Sequence, residues 1–169
     1  MLKQRLPLPI TALLFSLLTC LTLLSTQVEA RHTSLHPFIQ GSYNNVRIEL
    51  SDKPFLMVLW SIDCPPCHKE LNMLGKLTKE RPELNLVLIS TDDISLADDI
   101  AETLKKHGLG GTESWAFADP NVARLRYEID PRWYGTLPRS YFFDSNHQRS
   151  ATTGTLEKEQ VEAWLKEQQ

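Results

Sequence analysis

Residues 64 to 68 read Cys-Pro-Pro-Cys-His, and three chemistries use that pattern. Two cysteines with two residues between them form a dithiol that opens and closes as a disulfide. The same pair followed by His68 is also the attachment pattern for a c-type haem, with the histidine as one axial ligand. In a third use, two thiolates hold a soft ion such as Cu(I), with His68 assisting. These make, respectively, a redox enzyme, an electron carrier and a metal-binding module.

The flanking elements separate the three. "FLMVLW" (55–60) is an unbroken apolar run of strand length, as expected for a strand covered on both faces. After the motif, Leu71, Met73, Leu74 and Leu77 recur at helical spacing until Pro82. Cys64 therefore falls where a buried strand turns into a helix. There the free N–H groups and the positive end of the dipole favour thiolate over thiol. Cys67, one turn inside, is expected to be less exposed and to resolve mixed disulfides formed on Cys64. Pro65 and Pro66 cannot donate N–H bonds and stiffen the loop, and proline suits a first helical turn.

The haem reading lacks a second axial ligand. Met73 is too near in the same helix, His107 sits at a helix end, and His147 falls in a hairpin turn. His68 is expected as an exposed first-turn residue. His32 and His36 read as solvent-facing residues of an irregular lead-in.

The remaining chain alternates strands and helices. "VRIEL" (46–50) suggests an edge strand, "LNLVLIS" (84–90) a second buried strand, and 94–108 a helix with Ala97, Ile100, Ala101 and Leu104 on one face. "SWAFA" (114–118) is a short strand, followed by a helix with Asp119 as N-cap and Pro120 at its first position. "YFFD" and the segment near "QRSATTG" form a hairpin turning at "SNH", and Thr155 caps a last helix with Val161, Trp164 and Leu165 inward. This predicts an α/β fold with a central mixed sheet flanked by helices.

The first thirty residues stand apart. Lys3 and Arg5 precede an apolar run from Leu8 to Leu24, and "VEA" (28–30) has the small-residue pattern of a signal-peptidase site. Residues 1–30 therefore read as a cleavable signal peptide, with an uncleaved membrane anchor as the alternative. Residues 31–169 read as a single domain, exported and periplasmic. Removing Lys3, Arg5 and Glu29 from 18 bases and 21 acids leaves 16 and 20, a net charge of −4. That balance gives no footprint for nucleic acid. Cys20 leaves with the signal, so Cys64 and Cys67 remain as the only pair. A loop of two residues removes little entropy from the unfolded chain, which favours chemistry over stapling.

"FLMVLWSIDCPPCHKELNML" resembles the active-site strand and helix of the thioredoxin superfamily, and "TLPRSYFFDSNHQ" its cis-proline loop and following strand. The insertion "ADDIAETLKKHG" is similar to that of the exported TlpA and ResA-like branch, and the likeness spans nearly all of residues 38 to 168. It implies a thioredoxin-like fold and a thiol–disulfide oxidoreductase whose only redox group is the Cys64–Cys67 disulfide, with no organic cofactor or metal. It further implies a cis Leu137–Pro138 bond that brings Pro138 against the dithiol and would obstruct a metal there. By the same resemblance, the Leu137 backbone pairs with an extended substrate segment, and Arg139 stands beside it where threonine is common. Glu70 matches an acid near the dithiol that relays protons, the alternative being a solvent-facing first-turn glutamate. Trp60 matches an aromatic that packs beside the motif. Asp63 stands where the family often carries an aromatic or small residue, and its charge opposes thiolate formation unless solvated. The expected partners are protein thiols and disulfides of the periplasm and a membrane thiol-transfer protein as electron donor. Cytochrome c maturation is one implied setting.

Overall fold

In the computed structural model, the structure describes residues 35–168. The expected signal peptide, its cleavage after Ala30, and Cys20 and His32 lie outside the described residues. The order is β1 (Leu35–Phe38), α1 (Ser42–Glu49), β2 (Phe55–Trp60), α2 (Pro65–Glu80), β3 (Leu86–Asp93), α3 (Ala97–Lys106), β4 (Glu113–Phe117), α4 (Val122–Ile129), β5 (Arg139–Phe143), β6 (Arg149–Thr153) and α5 (Lys158–Glu167).

One six-stranded sheet runs in the order β1-β4-β3-β2-β5-β6. The β1, β4, β3 and β2 neighbours pair in parallel, whereas β5 pairs antiparallel with both β2 and β6. The sheet is mixed, as the alternation of elements predicted. β2 lies between β3 and β5, and all six of its residues are buried. Its side chains alternate between two cores. Leu56, Val58 and Trp60 pack with Leu71, Leu74 and Leu77 of α2, Ile100 and Leu104 of α3, and Val161 and Leu165 of α5. Phe55, Met57 and Leu59 pack on the other face with Val46 of α1, Leu125 and Ile129 of α4, and Trp133. Burial on both faces is why this strand reads as a continuous apolar run.

Four local expectations are corrected. Val46 to Glu49 lie in helix α1, not in a strand. A strand of that sequence would bury Val46, Ile48 and Leu50 together, but Ile48 stays 61% exposed. The buried positions are instead Ser42 and Val46, one helical turn apart. The sheet edge is taken by β1, from the segment read as a loose lead-in, and His36 there lies against Trp115 with ring centroids 4.9 Å apart. The N-cap of α4 is Asn121, whose side chain accepts from Arg124 N–H; Asp119 instead holds Asn121 N–H and the Arg124 guanidinium. The N-cap of α5 is Glu157, in a reciprocal capping box with Gln160. Thr155 instead turns its hydroxyl to the Pro66 carbonyl.

Candidate active site

Cys64 is the N-cap of α2, and Pro65 is its first helical residue. The Cys64 carbonyl accepts from the N–H groups of Cys67 and His68, and its Sγ accepts from Cys67 N–H at 3.3 Å. The prolines bring no N–H to a first turn where none can be satisfied within the helix. Cys64 and Cys67 are joined as a disulfide with Cα atoms 5.2 Å apart. Cys67 is fully buried, whereas Cys64 is half-buried. The two residues are thus unequal in exposure, Cys64 being the more open.

The short loop between β2 and Cys64 is held by Asp92, a residue the sequence reading missed. Its carboxylate accepts from Ser61 Oγ at 2.8 Å, Ile62 N–H at 2.8 Å and Ser90 Oγ at 2.6 Å. The signal available was register. Parallel pairing sets Trp60 opposite Ser90, so an acid two residues past Ser90 arrives beside the loop. Asp63 is exposed to water, and its N–H donates to Ser61 Oγ.

His68 is partly buried rather than an open first-turn residue. Its Nε2 lies 2.7 Å from the Ile62 carbonyl, which can only accept, so Nε2 carries the proton. Its Nδ1 faces His107 Nε2 at 3.1 Å. Burial holds the His107 pKa below the usual histidine value, with His68 and Lys106 acting in the same direction.

Glu70 lies one turn beyond Cys67 on α2 and is fully buried, which removes the solvent-facing alternative. Its Oε1 accepts from Ser140 Oγ at 2.8 Å and its Oε2 from Leu156 N–H at 3.1 Å. Burial pushes its carboxyl above the usual range, and those two hydrogen bonds only partly offset the rise.

The Leu137–Pro138 bond is cis. The antiparallel register of β5 on β2 ends at the Leu59–Arg139 pair. The cis bond therefore enters the sheet at the end of β2 from which the Cys64 loop leaves. Pro138 is buried, and its carbonyl accepts from Gly154 N–H at 3.0 Å. Leu137 is half-buried and, like Cys64 and Ile62, packs against the core that contains Cys67. Trp60 belongs to that core, 1% exposed. Arg139 points to the opposite face from its neighbour Ser140. Its guanidinium pairs with Asp130 at 3.1 Å, donates to Thr153 Oγ1 at 2.6 Å and lies over the Tyr141 ring. Its charge is engaged there, across the sheet from α2.

No protein-family profile matches this sequence, and no curated protein matches it. Solved structures do. A dsbF structure from MTB, in mixed oxidized and reduced forms, is 18% identical, with a TM-score of 0.58 over 72% of this chain and 84% of that one. A secreted Mycobacterium tuberculosis disulfide oxidoreductase homologous to E. coli DsbE is 18% identical, with a TM-score of 0.55 over 71% and 85%. A thiol:disulfide interchange protein of the thioredoxin family from Chlorobium tepidum is 20% identical, with a TM-score of 0.57 over 72% and 83%. The chain therefore has the thioredoxin-like fold of these thiol–disulfide oxidoreductases, with its own Cys64–Cys67 disulfide at the strand-to-helix turn.

Proposed function

We propose that the chain is an exported thiol–disulfide oxidoreductase that reduces disulfides of envelope proteins in the periplasm. The observation that carries this reading is the inequality of the two bonded sulfurs, with half-buried Cys64 capping a helix and Cys67 sealed behind it. In the reduced state, the Cys64 thiolate attacks a substrate disulfide. That S–S bond breaks, one substrate sulfur leaves as a thiolate and takes a proton, and the other stays bonded to Cys64. Cys67 then gives up its proton and attacks Cys64 Sγ, and the second substrate sulfur departs. Two electrons have passed to the substrate, and the chain is left with the Cys64–Cys67 disulfide. Glu70, with its carboxyl raised by burial, is suited to take the Cys67 proton. Pro138 limits approach to the sulfurs, and the Leu137 backbone offers an extended substrate a place to pair. A membrane thiol-transfer protein returns the electrons, since the periplasm is kept oxidising. Apocytochrome cysteines, reduced before haem joins them, are one substrate class the resemblance implies.

The haem reading fits less well. The His68 Nε2 that would face the iron is turned to the Ile62 carbonyl at 2.7 Å. The test is to trap partners in the native cell. Cys67→Ser should accumulate mixed disulfides through Cys64, and Cys64→Ser should not. Equal trapping by both variants would overturn the division of labour. A reduction potential above that of the oxidising envelope pool would reverse the direction.

A further inference from the structure

A cavity of about 760 Å³ opens on the face of the sheet opposite α2, lined by Tyr43 and Arg47 of α1, Arg124, Tyr127 and Glu128 of α4, and Arg149 of β6. Its location separates it from the dithiol, because α1 and α4 pack on the Phe55, Met57 and Leu59 side of β2, whereas α2 packs on the other. The volume lies within the range of small-molecule sites.

Three guanidiniums here belong to a chain whose net charge is −3. Two have acidic partners: Arg124 pairs with Asp119 at 2.6 Å and Arg149 with Asp130 at 3.4 Å. The Glu128 carboxylate is taken up by Gly41 N–H, at 3.0 and 3.1 Å to its two oxygens. Arg47 has no acidic partner among the described residues. Its Nε is buried without a hydrogen bond, and its guanidinium lies 5.6 Å from the centroid of the Tyr43 ring. A desolvated guanidinium N–H with no acceptor is costly unless something supplies one. Tyr43 is itself fixed, its hydroxyl accepting from Arg149 at 2.9 Å. Tyr127 is 68% exposed at the rim, an aromatic face with room for a second ring.

We infer that this cavity is a second binding site, separate from the dithiol, for a small aromatic anion whose phosphate or carboxylate group meets Arg47 while its ring lies against Tyr43 and Tyr127. Planar guanidinium forks recognise both anions in the same bidentate way.

Calorimetric titration of the full-length protein with phenyl phosphate, phthalate and orthophosphate tests this. Phenyl phosphate and phthalate separate the two anion chemistries, and orthophosphate lacks the ring. At least one ring-bearing anion should bind saturably, one per chain, and more tightly than orthophosphate. Arg47→Gln should weaken it about tenfold, the loss expected for one charged hydrogen bond, with Arg47→Lys in between. Tyr127→Ala, at an exposed position that leaves the fold intact, should weaken the ring-bearing anion and not orthophosphate. Disulfide exchange should be unchanged in Arg47→Gln. The proposal fails if no ring-bearing probe binds saturably at millimolar concentration, if orthophosphate binds as tightly, or if Arg47→Gln binds like the parent protein.

Discussion

Ser140 Oγ donates to Glu70 Oε1 at 2.8 Å, tying the strand that follows the cis proline to the helix that carries both sulfurs. Its acceptor is a buried carboxyl that, among the described residues, has no cationic partner and is held by a hydroxyl and one backbone N–H. Glu70→Gln should therefore slow the step in which Cys67 displaces the substrate by about 10²-fold, the lower range for loss of a general base. Attack by Cys64 should be nearly unchanged. Stopped-flow resolution of mixed-disulfide formation and decay distinguishes the two steps.

The two buried carboxylates should leave opposite marks on stability. Burial raises Glu70, so the folded state holds its proton above the ordinary carboxyl value of 4.5 and loses stability as pH climbs from there through the raised value. Asp130 is also pushed up by burial, but Arg132 N–H, the Arg139 and Arg149 guanidiniums and the Tyr141 hydroxyl outweigh that and lower it. Its contribution is present above 3.8 and is lost as pH falls through the depressed value. Urea midpoints of the oxidised protein across pH should show Glu70→Gln flattening the decline above 4.5 and Asp130→Asn removing the acid-side loss.

Asp130→Asn should also destabilise at neutral pH by about 3–5 kcal/mol. The side chain is 2% exposed and holds two partly buried guanidiniums, at 3.1 Å for Arg139 and 3.4 Å for Arg149. The same urea series gives this value from its neutral points.

Gly75→Ala should destabilise by about 2–3 kcal/mol through overpacking, although alanine is ordinarily the better helix residue by about 1 kcal/mol. An added Cβ would sit 1.8 Å from the His107 carbonyl oxygen. The end of α3 would have to move off α2, and His107 would leave His68. Urea unfolding gives the energy, and the His68 ring resonances report the lost contact.

Asp92→Ala should cost about 2–3 kcal/mol, because it strips charged hydrogen-bond acceptors from Ser61, Ile62 and Ser90. It should also slow exchange with glutathione, since the loop that presents Cys64 is no longer fixed. Exchange at parent rate would assign Asp92 to stability alone.

The legible parts were those where local pattern and tertiary environment agree. Six apolar residues in a row marked β2 because both faces of that strand are covered. The Cys-Pro-Pro-Cys turn followed because prolines and a capping sulfur suit a first helical turn. Illegible parts depended on residues distant in sequence. Alternation in "VRIEL" imitates a strand, and only the docking of Val46 beside Leu125 and Ile129 makes it helical. Asp92 carries no motif, and its role comes from strand register. The His68–His107 contact spans 39 positions and depends on the bare backbone at Gly75. Glu70 was singled out by resemblance, but its two hydrogen-bond donors come from segments that no local spacing connects to it.

One of those donors, Leu156, follows Glu70 by 86 positions. At ordinary synthesis speeds that separation is about 4–17 s of translation. The segment that supplies this N–H is thus made well after both cysteines. Glu70 therefore acquires its full set of donors only when residues 140 and 156 both pack against α2, so the carboxyl's environment is a property of the whole fold rather than of the helix that bears it.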